Sequence, residues 1–305
     1  MTPAESRALA WARLVRLPNV FTALADIGLG ILVAGPATVG AAPAALLLIA
    51  SACLYCGGMV WNDYFDVEQD RRERPFRPIP SGEISLRDAA RLGTGLLAIG
   101  WLCAAAAGWL AGPPTAVPAL IAVLLVGCIL LYDRWLKRTR FGPLGMGLCR
   151  FLNVFLGLSV VSADVVPWGV RVHLAGVVGV YIVGVTWFAS TEARDSDATK
   201  LQTAAGVMAM ALALAVFWPL QWPDGTASPL FVYMVVAFGF IVGLPAVRAC
   251  QRPTPSLVQN AVKRAVLGLV ALDAVLATAA AGTAGLVLLL LLPPAIALGR
   301  RVYST

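Results

Sequence analysis

Stretches of about twenty apolar residues recur from one end of this chain to the other. Ten can be marked: 19–35, 43–62, 88–112, 115–132, 143–162, 169–190, 202–220, 228–248, 262–281 and 284–299. About twenty helical residues cross the hydrocarbon of a bilayer. Within it only helices and closed barrels satisfy their own backbone groups. With 13% of its residues charged, a 305-residue chain cannot cover the surface of a soluble domain. The expected fold is an all-α polytopic membrane protein, a helical bundle of nine to ten transmembrane helices. Residues 1–16 are polar and the first long apolar run has the length of a true span, so no signal peptide is expected. No linker divides residues 1–305, and a single integral-membrane domain is expected.

Loop charge gives the orientation. Arg7, Arg13 and Arg16 precede the first span. Later basic groups lie at 71–87, 134–140, 194–200, 248–264 and 300–301. Ten spans place all of them on one side, and the opposite loops then carry no Lys or Arg except Arg171 at a span edge. The positive-inside rule makes that side cytoplasmic. Nine spans would send Arg300 and Arg301 outward, which favours ten. The net charge of +7 is this asymmetry and requires no nucleic-acid partner. A bacterial inner or cell membrane is the expected location. The six cysteines lie in or beside spans, as packing residues rather than a redox or zinc site. The lone histidine, His173, falls on the outer side, away from any cytoplasmic chemistry.

Against this apolar background residues 62–82 form a dense block of charge. Asn62, Asp66 and Asp70 are four apart and form one stripe on a helix leaving the second span. Arg71, Arg72, Arg74 and Arg77 follow, and Pro75, Pro78 and Pro80 end the helix. Spaced carboxylates bind Mg²⁺ through oxygen, and arginines bind phosphate oxygens. The combination suits a metal-bound diphosphate at a membrane surface. A second acidic group, Glu192, Asp195 and Asp197, follows the sixth span on the same side.

The Asn62-Asp63-x-x-Asp66-x-x-x-Asp70 pattern, with its Arg-Pro-Phe-Arg-Pro-Ile-Pro-Ser-Gly tail, resembles the first motif of the UbiA superfamily of intramembrane prenyltransferases. The run from Tyr132 to Lys137 and Arg138 resembles that family's tyrosine-lysine connection after its fourth span. The order of elements on successive loops is also similar, so the likeness covers most of the chain. Two departures stand out: Glu192 takes the place usually held by an aspartate in the second motif, and the family's nine spans compare with ten segments here.

The resemblance implies Mg²⁺-dependent transfer of an isoprenyl group from an isoprenyl diphosphate to a small acceptor, aromatic acceptors included, at the cytoplasmic face. Active-site loops are expected at about 62–87, 133–142 and 191–201. Asn62, Asp66, Asp70, Glu192 and Asp195 are the expected metal ligands, with Asp63 in support. Arg71, Arg74, Arg77, Lys137 and Lys200 are the expected diphosphate contacts. Tyr132 is singled out among the interfacial aromatics as a carbocation shield. Arg134, Arg138 and Arg140 are expected at lipid headgroups.

Asn19 is expected to line the headgroup pocket. Arg150 and Asn153, three apart in the fifth segment, are expected to point toward acceptor or pyrophosphate. Asp26 and Asp273 lie deeper and are assigned to interhelical hydrogen bonding. The rival class is a transporter or binding protein for an anionic lipid or metabolite. Transporters place their charge near mid-membrane on broken helices, whereas here it gathers at the boundary. Membrane lipids are partners on either reading.

Overall fold

The computed structural model describes residues 3–190, 198–221 and 228–303, and every regular element among them is helical. A polar helix α1 (Pro3–Leu14) leads into α2 (Val20–Ala34). The long α3 (Ala41–Phe65) is followed by the short α4 (Val67–Glu73), then α5 (Leu86–Leu110) and α6 (Val117–Arg134). Next come α7 (Gly142–Gly157), α8 (Trp168–Ala189) and α9 (Ala198–Phe217). The stretch Pro229–Gln251, with a π-turn at Gly239–Gly243, is α10; α11 is Pro255–Ala281. A 3₁₀ segment, Gly282–Leu291, then leads into α12 (Leu292–Tyr303).

Eight helical stretches among the described residues are long and apolar enough to cross a membrane. They correspond to ten segments of the bundle for two reasons. Helix α7 has 16 residues, too few to qualify alone. The final stretch, Pro255–Val302, reverses on itself at Gly282. Gly282 has φ +58°, a conformation that glycine adopts without a Cβ penalty. Gly285 thereby lies against Ala277 and Thr278.

Segments consecutive in the chain run antiparallel, whereas α2 and α7 run in the same direction. Ser51 meets Ala23 across α2 and α3, and Gly57 meets Gly93 and Leu97 across α3 and α5. Cys128 meets Cys149 across α6 and α7, and His173 meets the Leu214 carbonyl across α8 and α9. Gly268 of α11 packs under Val242 and Phe238 of α10. At the far end of the chain Arg13 Nε donates to the Val302 carbonyl at 3.1 Å, joining the two ends on one side of the bundle. An even number of crossings follows, in line with ten segments.

Small residues bring the helices around the site together. A Cβ on Gly30 would stand 2.5 Å from the Gly157 carbonyl carbon, so α2 and α7 cross almost backbone to backbone. Without a hydrophobic drive between helices in lipid, this close packing holds the pair. Gly30→Val is expected to cost about 1–3 kcal/mol by overpacking. The check is a thermal melt in detergent; an unchanged midpoint would mean the helices do not approach this closely.

Candidate functional site

The charged block lies at the end of the bundle where both termini meet. Helix α3 does not stop cleanly at Phe65. Asp66 N–H donates to the Asn62 carbonyl at 3.1 Å, and Asp70 N–H to the Asp66 carbonyl at 2.8 Å. Asn62, Asp66 and Asp70 therefore remain one turn apart across the joint between α3 and α4. Beyond the prolines Ile79 and Ile84 are buried with Ala10, Leu14, Val60 and Ala89, which anchors the return loop under α1. Ser85 caps α5 by accepting from Asp88 N–H at 3.1 Å.

Asp63, Asp66 and Asp70 are each matched by two cations. Asp63 Oδ1 takes Arg16 at 3.1 Å and Arg77 at 3.2 Å. Asp70 is buried and takes Arg77 at 2.7 Å and Arg74 at 3.8 Å. Asp66 takes Lys137 at 2.7 Å and Arg138 at 3.4 Å. Lys137 Nζ also reaches the Asn62 carbonyl at 3.3 Å. The Asn62 amide donates to Asp133 at 2.9 Å, while its oxygen accepts from Arg16 at 3.3 Å.

Several expected residues therefore converge: Asn62, Asp63, Asp66, Asp70, Arg74, Arg77 and Lys137. Arg71 does not join them; it is exposed and pairs with Glu68 at 2.6 Å on the outer face of α4. Lys200 is exposed near the start of α9, and among the described residues no ion pair ties it to the block. Arg138, assigned to lipid headgroups, instead reaches the Phe65 carbonyl at 3.0 Å as well as Asp66. Arg134 and Arg140 stay at the surface over Phe65 and Phe141. Glu192 and Asp195 lie outside the described residues.

Beneath the block a cavity of about 170 Å³ opens between α2, α3, α6 and α7. Its walls are apolar, from Leu54, Met59, Leu125, Ile129 and Met146. Arg16, Tyr132 and Asp133 line one end, and Ser51, Arg150 and Asn153 the other. Tyr132 thus stands between the charged block and the apolar walls. Asn19 is half-buried just before α2, and it is not among the lining residues. Its backbone carbonyl accepts from Thr22 at 2.7 Å.

Arg150 does not reach the charged block. It donates to Asp26 at 3.1 Å and Thr22 at 2.7 Å, with its guanidinium 5.4 Å from the centre of the Tyr55 ring. Asn153 donates to Asp26 at 2.8 Å and to the Ala23 carbonyl at 3.0 Å, and accepts from Ser51 at 2.8 Å. Asp26 does make interhelical bonds, as expected, but to cavity-lining partners. Sequence reasoning missed Arg16 and Asp133. Arg16 was absorbed into the topology signal. Asp133 carried a usable sign: an ionisable residue in the last turn of an apolar helix.

Among the described residues no three His, Cys, Asp or Glu side chains gather into a metal cluster. The donors present are nonetheless hard oxygens at one-turn spacing, the chemistry that suits Mg²⁺. Cations now occupy those oxygens, and the second acidic group lies outside the described residues. The donor set therefore fits Mg²⁺ in chemistry.

The model of the UbiA prenyltransferase family matches residues 20–262. The chain belongs to this family. Digeranylgeranylglyceryl phosphate synthase of Metallosphaera sedula is 34% identical over 146 residues, covering 48% of this chain and 49% of that protein. The synthase of Ignicoccus hospitalis is 38% identical over 136 residues, covering 45% and 42%. The chain thus spans about half the length of these curated relatives. They are archaeal, so the expected bacterial location gains no support from them.

Solved UbiA structures share the fold. One, described as a digeranylgeranylglyceryl phosphate synthase in membranes, superposes with a TM-score of 0.67 at 18% identity, covering 90% of this chain and 99% of that one. A UbiA homolog from Archaeoglobus fulgidus bound to DMAPP and Mg²⁺ gives 0.62 at 17% identity, covering 87% and 98%. A multi-pass helical membrane protein of the UbiA fold is the common conclusion.

Proposed function

We propose that this protein transfers an isoprenyl group from an isoprenyl diphosphate to a small acceptor, with its active site at the cytoplasmic face of a cell membrane. The observation that carries this reading is the stacking of Asn62, Asp66 and Asp70, with Arg77 and Lys137 between them, directly above an apolar cavity. Support comes from the family, from relatives named as prenyl-glyceryl phosphate synthases, and from the homolog bound to DMAPP and Mg²⁺.

On this reading Asn62, Asp66 and Asp70 would hold Mg²⁺, together with Glu192 and Asp195 from the other loop. Bound there, Mg²⁺ supplies Lewis-acid stabilisation of the leaving pyrophosphate. Arg74, Arg77 and Lys137 bind the diphosphate oxygens, trading their present carboxylate partners for phosphate. Arg16, Asp63 and Asp133 hold Arg77 and Asn62 in register. The allylic C–O bond breaks with its electron pair going to pyrophosphate. The acceptor atom then bonds to the allylic carbon and gives up a proton. The Tyr132 ring faces the developing cation, and the apolar walls keep water from capturing it. A transporter fits poorly, because the densest gathering of cations and carboxylates, Asp63 to Asp70 with Arg77 and Lys137, lies at the bundle end, and the deeper Arg150–Asp26 pair joins unbroken helices.

The test is pyrophosphate release from geranylgeranyl diphosphate by the protein in lipid nanodiscs, supplied with a membrane lipid extract as the source of acceptor. Release is expected with Mg²⁺ and lost on chelation with EDTA. Release that persists unchanged in EDTA would sink the metal-assisted reading.

A further inference from the structure

The inner end of the cavity is polar although it lies far from the charged block. Ser51 is 11 residues before Asn62 on α3, about 16 Å deeper along the helix at 1.5 Å per residue. An isoprenyl chain has no use for polar groups at that depth, since burying hydrocarbon against them leaves them without water or partners. The Arg150 side chain is only 13% exposed and lines this end beside Ser51 and Asn153. Of the five N–H groups of its guanidinium, Asp26 and Thr22 engage two. Asn153 is spent on Ala23, Asp26 and Ser51. Three N–H groups of Arg150 are thus left unengaged by Asp26 and Thr22, and Arg150 and Ser51 both line the cavity.

The charge of the cluster decides what it can take. The Arg150 cation is matched by Asp26, which is fully buried. Asp273 of α11, also fully buried, lies alongside Asp26. A side-chain hydrogen bond joins the two carboxyls, and among the described residues no other donor reaches Asp26 Oδ1 or either Asp273 oxygen. With Asp26 ionised against Arg150, the cluster carries no net positive charge in either charge state of Asp273. A phosphate drawn in here would be a buried anion without a counter-charge, which is strongly disfavoured. A neutral oxygen meets donors on Arg150 at no such cost.

We propose that Arg150 and Ser51 form an acceptor subsite at the inner end of the cavity, specific for the hydroxyl or carbonyl oxygen of an uncharged acceptor. Asp26 acts as the positioning residue that holds the Arg150 guanidinium against the wall. The assignment rests on the prenyl-transfer reading and deepens it. It separates this chain from relatives whose named product is a phosphate ester.

The experiment measures binding to donor-loaded protein in nanodiscs of three probes: 1-O-hexadecylglycerol, 4-hexylphenol and 1-O-hexadecylglycerol 3-phosphate. At least one uncharged probe is expected to bind more tightly than the phosphate. Ser51→Ala should weaken that probe about three- to tenfold while leaving isoprenyl diphosphate affinity unchanged. Arg150→Gln alone would strand Asp26, so the charge-matched Asp26→Asn/Arg150→Gln protein is used, its folding checked by melting. It should lose the preference for the uncharged probe and keep donor binding. Preference for the phosphate, binding of neither uncharged probe, or variants with unaltered probe affinity would each overturn the subsite while donor binding stands. Absence of donor binding in the unmodified protein would instead overturn the prenyl-transfer reading and the subsite with it.

Discussion

Asp66→Asn is expected to lower Mg²⁺-dependent turnover by about a hundredfold or more, the usual scale for losing one preorganised electrostatic contact at a reacting centre. Asp66 sits at the joint between α3 and α4, where its carboxylate meets Lys137 from the loop after α6. Asparagine keeps the shape and one oxygen but loses the charge that would hold both Mg²⁺ and Lys137. The fold should survive at a cost of about 1–3 kcal/mol, because asparagine keeps an oxygen for Lys137, whose contact with Asp66 is largely buried, and the contact with Arg138 is exposed. Turnover and thermal midpoint measured on the same preparation separate the two effects. Full activity in a folded Asp66→Asn protein would remove the first motif from the mechanism.

Arg77→Met should have the largest structural effect of any single change at the site. Arg77 is the only side chain seen to bond both Asp63 and Asp70 among the described residues, and both carboxylates are buried. Removing one partner of a buried charge pair costs about 3–5 kcal/mol, since the remaining charges are left stranded. Arg74 at 3.8 Å from Asp70 and Arg16 at 3.1 Å from Asp63 soften that cost toward its lower end. Donor affinity should fall together with stability. Arg77→Lys keeps the charge but loses the fork that spans two carboxylates, so it should recover most of the stability and little of the affinity. A melting curve that does not move in Arg77→Met would show that Arg77 does not organise this loop.

The parts of the site legible in the sequence were those whose geometry is local. The one-turn spacing of Asn62, Asp66 and Asp70 carries its own three-dimensional meaning, and the helix keeps it across the joint at Asp66. The charged loops between apolar runs likewise predict one basic end of the bundle, and the Arg13–Val302 contact brings the two termini together there. Arg71 stays apart from the block for an equally local reason. It is one residue from Asp70, so it points off the stripe, and Glu68 three residues earlier takes it up on the exposed face.

Contacts between distant helices were not legible. Arg150 and Asp26 are 124 residues apart, and their meeting depends on the Gly30–Gly157 crossing of α2 and α7. Single residues in apolar runs announce that a polar partner is needed, but not which helix supplies it. The same limit hid Asp133 as a partner of Asn62, 71 residues away, and Arg16 as a partner of Asp63. The tenth segment was legible in part: Gly282 and Thr283 mark the break, and the positive φ of Gly282 makes it a hairpin.

The central claim is most directly tested by calorimetric titration of geranylgeranyl diphosphate into the protein in nanodiscs, with and without Mg²⁺, beside Asp66→Asn. The account predicts saturable binding that requires Mg²⁺ and is lost or greatly weakened in the variant. Binding that is absent from the folded unmodified protein, or equally strong without Mg²⁺ and in Asp66→Asn, would contradict it.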